Sequence, residues 1–330
     1  MKLGTLINKS KDGDLVVVSR DNKKATKVEN IAQTLQQALE NWEECCPKLE
    51  EVYQALNEGS LSSSFEVNEE SFHSPLPRAY QWLDGSAYIR HIILVRKARG
   101  AEPPQNLKTT PLMYQGGSDT FLSPREDIPH VASAHGLDFE GEVAVITGDV
   151  PMGTKAEDAE QYIKLILLVN DVSLRGLIPG ELAMGFGFMQ SKPSSAFSPF
   201  AVTPKELGNA WKEGRVHLPL LSEYNKEWFG NPDSGDMHFS FHQLIEHAAR
   251  TRNLSAGTII GSGTVSNEDE KKGSSCLAEK RMLEKINEGE IKTPFMKPGD
   301  TIRIEMKDHE GHSIFGTIFQ KVIQSKVTEP

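Results

Sequence analysis

The sequence has few cysteines. Cys45, Cys46 and Cys276 are the three in 330 residues, too few and too irregularly spaced for a disulfide framework or a zinc knuckle. Cys45 and Cys46 are neighbours on a predicted helix, so their side chains point in different directions. We therefore predict that both are reduced thiols.

The sequence also lacks a long apolar run and an excess of positive charge. No apolar run approaches the ~20 residues that a membrane span needs. The start, MKLGTLINKSKDGDLVVV, has too short an apolar stretch and too many charges for a secretory signal. The 36 Lys and Arg residues are outnumbered by 46 Asp and Glu residues, whereas a nucleic-acid partner would favour a basic surface. We therefore expect a cytosolic protein that binds neither membrane nor nucleic acid, although local cations or a metal could still hold an anionic small substrate.

Residues 1–75 have the pattern of a small α+β unit. MKLGTLINKS and DGDLVVVSR are apolar runs joined by a turn, which predicts a hairpin. The stretch VENIAQTLQQALENWEECCPKLEEVYQALNEG has apolar residues at helical spacing and predicts two helices broken near Pro47. SLSSSFEVNEESFHSPLPRAY is rich in Ser and Pro and is predicted to be a linker.

From about residue 80 the sequence changes to many short predicted strands separated by loops. They are HIILVRKA, FEGEVAVIT, KLILLVND, FAVTP, GRVHLPLLSEYN, GTIIGSGTVS, DTIRIEMKD and SIFGTIFQKVI. EDAEQYIK and FHQLIEHAART are the best predicted helices. Strands without regular alternation with helices argue against a doubly wound sheet and favour a barrel or roll.

Two glutamates precede an apolar run in DFEGEVAVIT. Glu140 and Glu142 are two residues apart, so on a strand they project to the same face. Burying two like charges side by side is costly unless a cation neutralises them. The motif therefore indicates either a metal site or a solvated acidic face on an edge strand.

Other candidate residues stand near strand ends or in loops. Asp171 ends the apolar run KLILLVND, and Arg175 four residues later could form a simple ion pair with it. Asp84 opens a turn seven residues before His91, which on an apolar strand is most often a hydrogen-bonded core residue. Lys192 lies in a Gly-, Ser- and Pro-rich loop, where a lysine is usually a solvated charge.

The remaining motifs have simpler interpretations. Gly261-Ser-Gly-Thr-Val-Ser-Asn267 lacks the Lys-Ser/Thr ending of a P-loop and the third glycine of a dinucleotide fingerprint, which argues against nucleotide binding. Glu279 lies in CLAEKRMLEKI, which alone predicts a charged surface helix.

These fragments occur together in the order of one family. FEGEVAVI contains that family's paired glutamates, LVNDVSLR its Asn-Asp-x-Ser-x-Arg signature, and the lysine loop with SPF and GTIIGSGTVSN follow. From about residue 76 the sequence resembles fumarylacetoacetase and its bacterial relatives, the fumarylacetoacetate hydrolase superfamily. The resemblance implies an α+β, β-rich homodimer, with a small domain at 1–75 and a β-roll catalytic domain at 76–330.

The resemblance also implies a set of site residues. The divalent-metal ligands would be Asp84, Glu140, Glu142 and Asp171. All-oxygen ligation suits Mg²⁺ or Ca²⁺, with Mn²⁺ a further candidate. The catalytic residues would be His91 as general base, Glu279 as its orienting carboxylate, and Lys192 and Arg175 as cations that hold substrate oxygens. Tyr114 and Thr264 would complete the substrate contacts.

The implied activity is hydrolysis of a carbon–carbon bond in a diketo acid, fumarylacetoacetate or an acylpyruvate, as in tyrosine or other aromatic catabolism. Two positions depart from the family enzyme: Ile178 replaces a glutamine, and Ala196, beside Ser195, replaces a threonine. Related scaffolds also decarboxylate, isomerise or hydrate 2-oxo acids, so these reactions are alternatives. A metal-binding protein without turnover is a third interpretation.

Overall fold

The computed structural model describes residues 1–98, 102 and 105–327; the last three residues of the predicted catalytic domain lie outside them. Within this part the chain forms 21 strands and seven α-helices. The helices are α1 Leu35–Glu40, α2 Trp42–Asn57, α3 Ile89–Ala98, α4 Ile178–Met184, α5 Pro204–Leu207, α6 Phe241–Ala248 and α7 Leu277–Glu288. The strands are β1 Lys2–Leu6, β2 Asp14–Val18, β3 Lys24–Lys27, β4 Phe65–Glu66, β5 Phe72–His73, β6 Trp82–Gly85, β7 Met113–Gly116, β8 Ile128–His130, β9 Leu137–Asp138, β10 Gly141–Thr147, β11 Ile163–Asn170, β12 Ser173–Leu174, β13 Ala196–Phe197, β14 Phe200–Val202, β15 Trp211–Lys212, β16 Arg215–Val216, β17 Leu220–Tyr224, β18 Glu227–Gly230, β19 Ile259–Gly261, β20 Thr301–Met306 and β21 Ile318–Gln324.

Most of these strands belong to two sheets. The larger sheet has twelve strands, ten of them in the order β4-β3-β2-β1-β14-β11-β10-β19-β6-β7, while β13 pairs with β11 and β5 with β1. The second sheet has the order β18-β17-β20-β21-β8. β19 pairs with β6 and β21 with β8 in parallel, and the other paired strands are antiparallel. The prediction of an α+β, β-rich roll is confirmed.

Strands β10 and β11 lie in the middle of the large sheet and are covered on both faces. Every residue of β10 is buried. Because side chains alternate across a strand, Val143 and Val145 pack into one apolar core, and Ala144 and Ile146 pack into a second. The second core also contains Leu3 of the N-terminal strands. These two strands therefore hold the site residues near their ends in a rigid setting.

The N-terminal hairpin is confirmed, with Lys2 paired to Val18. β1 also pairs with β14, so the N-terminal strands continue the large sheet. The Ser- and Pro-rich segment predicted to be a linker instead supplies β4 and β5, and β5 pairs with β1.

The predicted helix break near Pro47 is wrong. Pro47 lies inside α2, and the break falls at Asn41, which ends α1 and precedes α2. The Asn41 side-chain amide donates to the Gln37 carbonyl at 3.0 Å, a local bond that competes with helix continuation. Pro47 removes only one helical N–H, and the packing of both helices tolerates that loss.

Two further predicted elements differ in the structure. HIILVRKA forms α3 rather than a strand, because a short apolar run does not distinguish a strand from a partly buried helix. Its buried side, including Ile92 and Leu94, faces the protein while Ile93 is exposed, and α3 packs against α7. EDAEQYIK forms a 3₁₀ helix at Ala156–Tyr162 that leads directly into β11. FHQLIEHAART is confirmed as α6, which begins with a Ser240–Gln243 capping box.

All three cysteines are free thiols. Among the described residues, no helix is long and apolar enough to cross a membrane.

Candidate active site and metal centre

The ends of four neighbouring strands bring the predicted ligands together. Asp84 on β6 pairs with Tyr114 on β7 and with Gly261 on β19. Glu142 lies at the start of β10, and Asp171 directly follows β11, its antiparallel neighbour. A Cβ atom at Gly261 would lie 2.4 Å from Asp84 Oδ1, so glycine at this position leaves room for the carboxylate.

Three carboxylates form a compact buried cluster. One oxygen from each of Asp84, Glu142 and Asp171 lies within 4.8 Å of the others, and all three residues are buried. Both oxygens of Glu142 are buried, and no donor among the described residues bonds to them. Burial first, and then the neighbouring Asp84 and Asp171 charges, raise the pKa of Glu142 well above its usual value. Burial and the Asp171 charge do the same to the pKa of Asp84.

The cluster fits a hard divalent cation. Within the described part of the site, six buried carboxylates accompany two cations whose side chains are largely buried: Asp84, Asp138, Glu140, Glu142, Asp171 and Glu279, with Arg175 and Lys192. Negative charge is therefore in excess, and the orphaned oxygens of Glu142 are ligands of the kind that Mg²⁺, Ca²⁺ and Mn²⁺ bind. Without a cation, Asp84 and Glu142 can coexist at this distance only by sharing a proton.

Glu140, the fourth predicted ligand, is held by cations. It precedes β10 and lies 2.5 Å from Arg175 Nη2 and 2.8 Å from Lys192 Nζ. Burial raises the pKa of Glu140, but Arg175 and Lys192 lower it by more, so the net pKa is below its usual value. Lys192 Nζ also lies 2.5 Å from Asp171 Oδ2 and so connects Glu140 to the carboxylate cluster. The role of Glu140 as a metal ligand stays a prediction.

Two of the simpler interpretations from the sequence are wrong. Arg175 contacts Asp138 and Glu140 rather than Asp171. Lys192 is buried rather than solvated. Burial lowers the pKa of Lys192, but the Asp171 and Glu140 charges raise it by more, so the lysine is a fixed cation.

His91 and Glu279 form a buried pair between α3 and α7. His91 Nδ1 lies 2.9 Å from Glu279 Oε2, and the Ser266 hydroxyl donates to the other oxygen, Oε1, at 3.0 Å. Glu279 is buried in the first turn of α7, so the surface-helix interpretation of this residue is wrong. The predicted spacing between Asp84 and His91 places the imidazole beside the carboxylates even though its element is a helix.

Asp171 also receives hydrogen bonds from Tyr114, a predicted substrate contact, and from Ser195, which was not assigned a role. The Tyr114 hydroxyl donates to Oδ2 at 2.7 Å, and the Ser195 hydroxyl donates to Oδ1 at 2.7 Å. Burial raises the pKa of Tyr114 well above its usual value, so this hydroxyl stays a donor. Ala196, the departure from the family threonine, lies buried in β13 beside Ser195.

Sequence reasoning missed Asp138. Its fully buried carboxylate accepts from the backbone N–H groups of Leu277 and Ala278 at 2.7 and 3.0 Å, and from Arg175 Nε at 2.8 Å. Asp138 therefore joins the N-terminus of α7, which carries Glu279, to Arg175. The available signal was its position two residues before Glu140, because side chains two apart on an extended chain project to the same face. This spacing could have placed Asp138 beside the paired glutamates.

Eight of the predicted residues line one cavity of about 420 Å³, while Asp171 and Glu279 lie behind this lining and contact it through Lys192 and His91. Its lining includes Asp84, Glu142, His91, Lys192 and Thr264. Ile178, the departure from the family glutamine, also lines this cavity. The structure thus brings a carboxylate cluster, a histidine–glutamate pair and a buried lysine to one space of small-molecule size.

Comparison with known proteins agrees with this geometry. Residues 81–323 match the family model described as fumarylacetoacetate (FAA) hydrolase C-terminal, and residues 1–78 match fumarylacetoacetase N-terminal domain 2. The chain belongs to the fumarylacetoacetate hydrolase family. The family is enzymatic, and its members named among the relatives include hydrolases, isomerases and a tautomerase.

Three relatives illustrate that range within the family. Oxaloacetate tautomerase YisK of Bacillus subtilis is 26% identical over 272 residues, which cover 81% of this chain and 85% of that protein. Fumarylacetoacetase of Caenorhabditis elegans is 24% identical over 257 residues, covering 64% of this chain and 61% of that protein. Maleylpyruvate hydrolase of Sphingobium sp. SYK-6, solved with manganese(II) and pyruvate, superposes with a TM-score of 0.66 at 16% identity, covering 99% of this chain and all of that one. At this identity the likeness shows the shared fold.

Proposed function

We propose that this chain is a divalent-metal-dependent hydrolase that cleaves a carbon–carbon bond in a diketo acid, fumarylacetoacetate or a related acylpyruvate. The observation that carries the proposal is the position of His91, hydrogen-bonded to Glu279, on the same cavity lining as Asp84 and Glu142. Water activation needs a base, and this cavity contains one beside carboxylates that fit a metal.

Asp84, Glu142 and Asp171 would hold the cation, with Glu140 as the fourth ligand that the family resemblance implies. A bound Mg²⁺, Ca²⁺ or Mn²⁺ supplies Lewis acidity that polarises the substrate's oxygens. The manganese(II) in the related maleylpyruvate hydrolase structure supports a metal of this kind.

His91 serves as the general base. Glu279 accepts the Nδ1 proton of His91, which leaves Nε2 as the acceptor in the cavity. Nε2 takes a proton from water while the water oxygen bonds to the distal carbonyl carbon. The carbon–carbon bond then breaks, its electron pair enters the enolate of the departing oxo acid, and His91 returns the proton to the enolate carbon.

Lys192 and Arg175 lower the energy of the enolate. Lys192 Nζ lies between Glu140 and Asp171 on the cavity wall, a fixed positive charge close to where the enolate oxygen forms. Arg175 holds Glu140 in place and adds a second charge. Tyr114 and Thr264 are the proposed contacts for the substrate's carboxylate and carbonyl oxygens.

The experiment is an absorbance assay on fumarylacetoacetate and several acylpyruvates with Mg²⁺, Mn²⁺ or EDTA. We expect metal-dependent loss of the diketo acid with two acid products. His91→Asn should keep its metal, measured by elemental analysis, and lose hydrolysis by at least about 100-fold. His312→Asn, an exposed histidine in a turn, is the matched control and should remain fully active. Undiminished turnover in His91→Asn would overturn the role of the base.

A metal-dependent isomerase, tautomerase or decarboxylase of a 2-oxo acid is the second candidate. It is favoured by the match to oxaloacetate tautomerase over 81% of the chain. The same His91 can move a proton between carbon and oxygen without activating water. Proton NMR of an acylpyruvate, oxaloacetate and an unsaturated 2-oxo acid separates the two candidates, because only the hydrolase yields two carboxylic acids from the acylpyruvate.

Oligomeric state, cellular compartment and metabolic role follow from the family resemblance as further proposals. We propose that the enzyme acts as a homodimer in the cytosol, in the breakdown of tyrosine or another aromatic compound. Sedimentation equilibrium of the purified chain tests the dimer, for which a mass of twice 36.6 kDa is expected.

A further inference from the structure

The cavity lining combines two kinds of side chain. Asp84, Glu140, Glu142, His91 and Lys192 are polar or charged. Six lining residues are apolar and make up what we call the apolar wall: Ile92, Leu112, Met113, Ile178, Leu182 and Phe188. These residues come from α3, from the strand β7 and the residue before it, and from α4 and the loop after it.

The apolar wall begins directly beside the carboxylate cluster. The Phe188 ring packs edge-on against Tyr114, with centroids 5.1 Å apart, and the Tyr114 hydroxyl donates to Asp171. Ile178 is the first residue of α4, and Leu182 follows one turn later on the same face. A substrate whose oxo acid head reaches the carboxylate cluster therefore extends its other end along this wall.

Three cations lie on the described cavity lining, Arg96, Arg175 and Lys192, and each already has a hydrogen-bond partner. Arg175 and Lys192 each contact two carboxylates. Arg96, one turn after Ile92 on α3, is partly exposed, and its guanidinium donates to the Glu102 carbonyl at 3.4 Å. A carboxylate placed against the wall would lose its hydration and meet apolar carbon, which is costly, whereas an alkyl or aryl group there gains from burial.

We propose that the apolar wall binds an uncharged, apolar acyl group, so that the preferred substrates are diketo acids ending in an alkyl or aryl group rather than in a second carboxylate. This inference rests on the proposed function and names the substrate class of the same site. Ile178 contributes to it directly, because its apolar side chain lines the cavity at the start of α4.

The test compares acylpyruvates that share the diketo acid head and differ only at the far end. The acyl groups are acetyl, hexanoyl, benzoyl and the carboxylated fumaryl group, each assayed for kcat/KM with Mn²⁺. We expect the hexanoyl and benzoyl compounds to exceed the fumaryl compound by at least tenfold, because each buried methylene contributes about tenfold or more in discrimination.

Substitutions at Leu182 test the wall without disturbing the core, because this side chain is 48% exposed. Leu182→Lys should shift the benzoyl-to-fumaryl ratio of kcat/KM towards fumaryl by at least tenfold. Ile291→Lys is the matched control, since Ile291 is 43% exposed and lies outside the cavity lining. That variant should leave the ratio unchanged.

Arg96 is the residue on the cavity lining that could produce the opposite preference. Preference for the fumaryl compound, lost in Arg96→Ala, would show that Arg96 selects a second carboxylate and would overturn the inference. If no diketo acid is cleaved, the proposed function fails separately. The wall is then tested by calorimetric binding of 2-oxo-4-phenylbutanoate and 2-oxoglutarate. Tighter binding of the phenyl compound supports the wall, and tighter binding of the dicarboxylate overturns it.

Discussion

The environment of Glu142 is the strongest indication that this site binds a cation. Its two buried oxygens receive no hydrogen bond from the described residues, and Asp84 and Asp171 lie beside it. We predict that Glu142→Gln stabilises the metal-free protein by about 1–3 kcal/mol, because burying Glu142 beside Asp84 without a cation requires the uptake of a proton and glutamine is neutral without one. The same change should abolish the added stability that Mn²⁺ gives. Urea unfolding with EDTA or Mn²⁺ measures both effects.

Glu305 offers a matched control for that measurement. It is similarly buried but pairs with Arg303 at 2.7 Å and with Lys307 at 3.6 Å. Glu305→Gln should therefore destabilise the protein in both conditions and leave the Mn²⁺ increment intact. A Glu142→Gln protein that still gains stability from Mn²⁺ would place the metal elsewhere.

Asp138 is a positioning residue, because it acts through Arg175 and α7. Asp138→Asn puts an N–H₂ group among N–H donors, so we predict a shift of Glu279 and Arg175. kcat should fall at least tenfold with little change in KM, and the pH profile of kcat/KM should move, since the partner of His91 is displaced.

Asp300 separates this effect from simple loss of stability. It is also buried and accepts from Tyr224 at 2.6 Å and Asn225 at 3.0 Å, on another sheet. Asp300→Asn should lower stability and leave the pH profile unmoved. An unchanged pH profile in Asp138→Asn would reduce its role to a helix cap.

At the scale of elements, α2 contains a removable defect. Pro47 lies in the interior of a 16-residue helix and cannot donate to the carbonyl four residues earlier. We predict that Pro47→Ala raises the free energy of unfolding by about 1–2 kcal/mol, less than the full interior penalty because proline also restricts the unfolded chain. Urea unfolding measures it. A destabilised variant would mean that the proline ring itself packs in the native helix.

Strand β1 carries a buried lysine that makes stability depend on pH. Burial lowers the pKa of Lys2 to about 8, and its ammonium donates to the Arg20 carbonyl and to Asn22. Between that value and the ordinary pKa near 10.5 the unfolded chain binds more protons than the folded one, so stability rises with pH in this window.

Lys2→Met removes this dependence and keeps most of the apolar stem. Relative to the variant, we predict that the native chain gains about 2 kcal/mol of unfolding free energy between pH 7 and pH 9.5. Urea unfolding of both proteins across this range gives the difference. Parallel curves would show that Lys2 is not desolvated in solution.

At the scale of the whole molecule, the metal should stabilise the N-terminal strands as well as the site. β1 pairs with β14, and Leu3 shares a core with Ala144 and Ile146 of β10. We predict one cooperative unfolding transition whose midpoint temperature rises with Mn²⁺. At a free Mn²⁺ concentration of 100 times its dissociation constant, the unfolding free energy should increase by about 2.7 kcal/mol. Calorimetry with Mn²⁺ or EDTA measures this. Two transitions, only one of them sensitive to metal, would contradict the shared core.

Much of the fold class and the candidate site follows from local pattern. The apolar runs VAVI and LILLV predict β10 and β11, because both faces of these strands are buried. The two-residue spacing of Glu140 and Glu142 predicts carboxylates close together near one strand end. The family resemblance added His91 and Lys192, which the structure brings to the same cavity lining, and Glu279, which contacts His91 behind it.

The errors have a common physical cause. HIILVRKA is a helix because its buried side meets α7, nearly 190 residues later in the chain, and a short window contains no record of that contact. Asp138 lacked an assigned role for the same reason, since its partners at Leu277 and Ala278 are remote in sequence.

The sequence by itself determined the strand-rich class, the acidic balance and the order of the family motifs, because these depend on residue type and short spacing. Only the tertiary structure decided which carboxylates lie together and which of them form ion pairs with Arg175 and Lys192. It separated Glu142, without a hydrogen-bond donor among the described residues, from Glu140, held by Arg175 and Lys192. Two glutamates only two residues apart differ in this way because electrostatic energy and burial depend on distances between residues that only folding brings together.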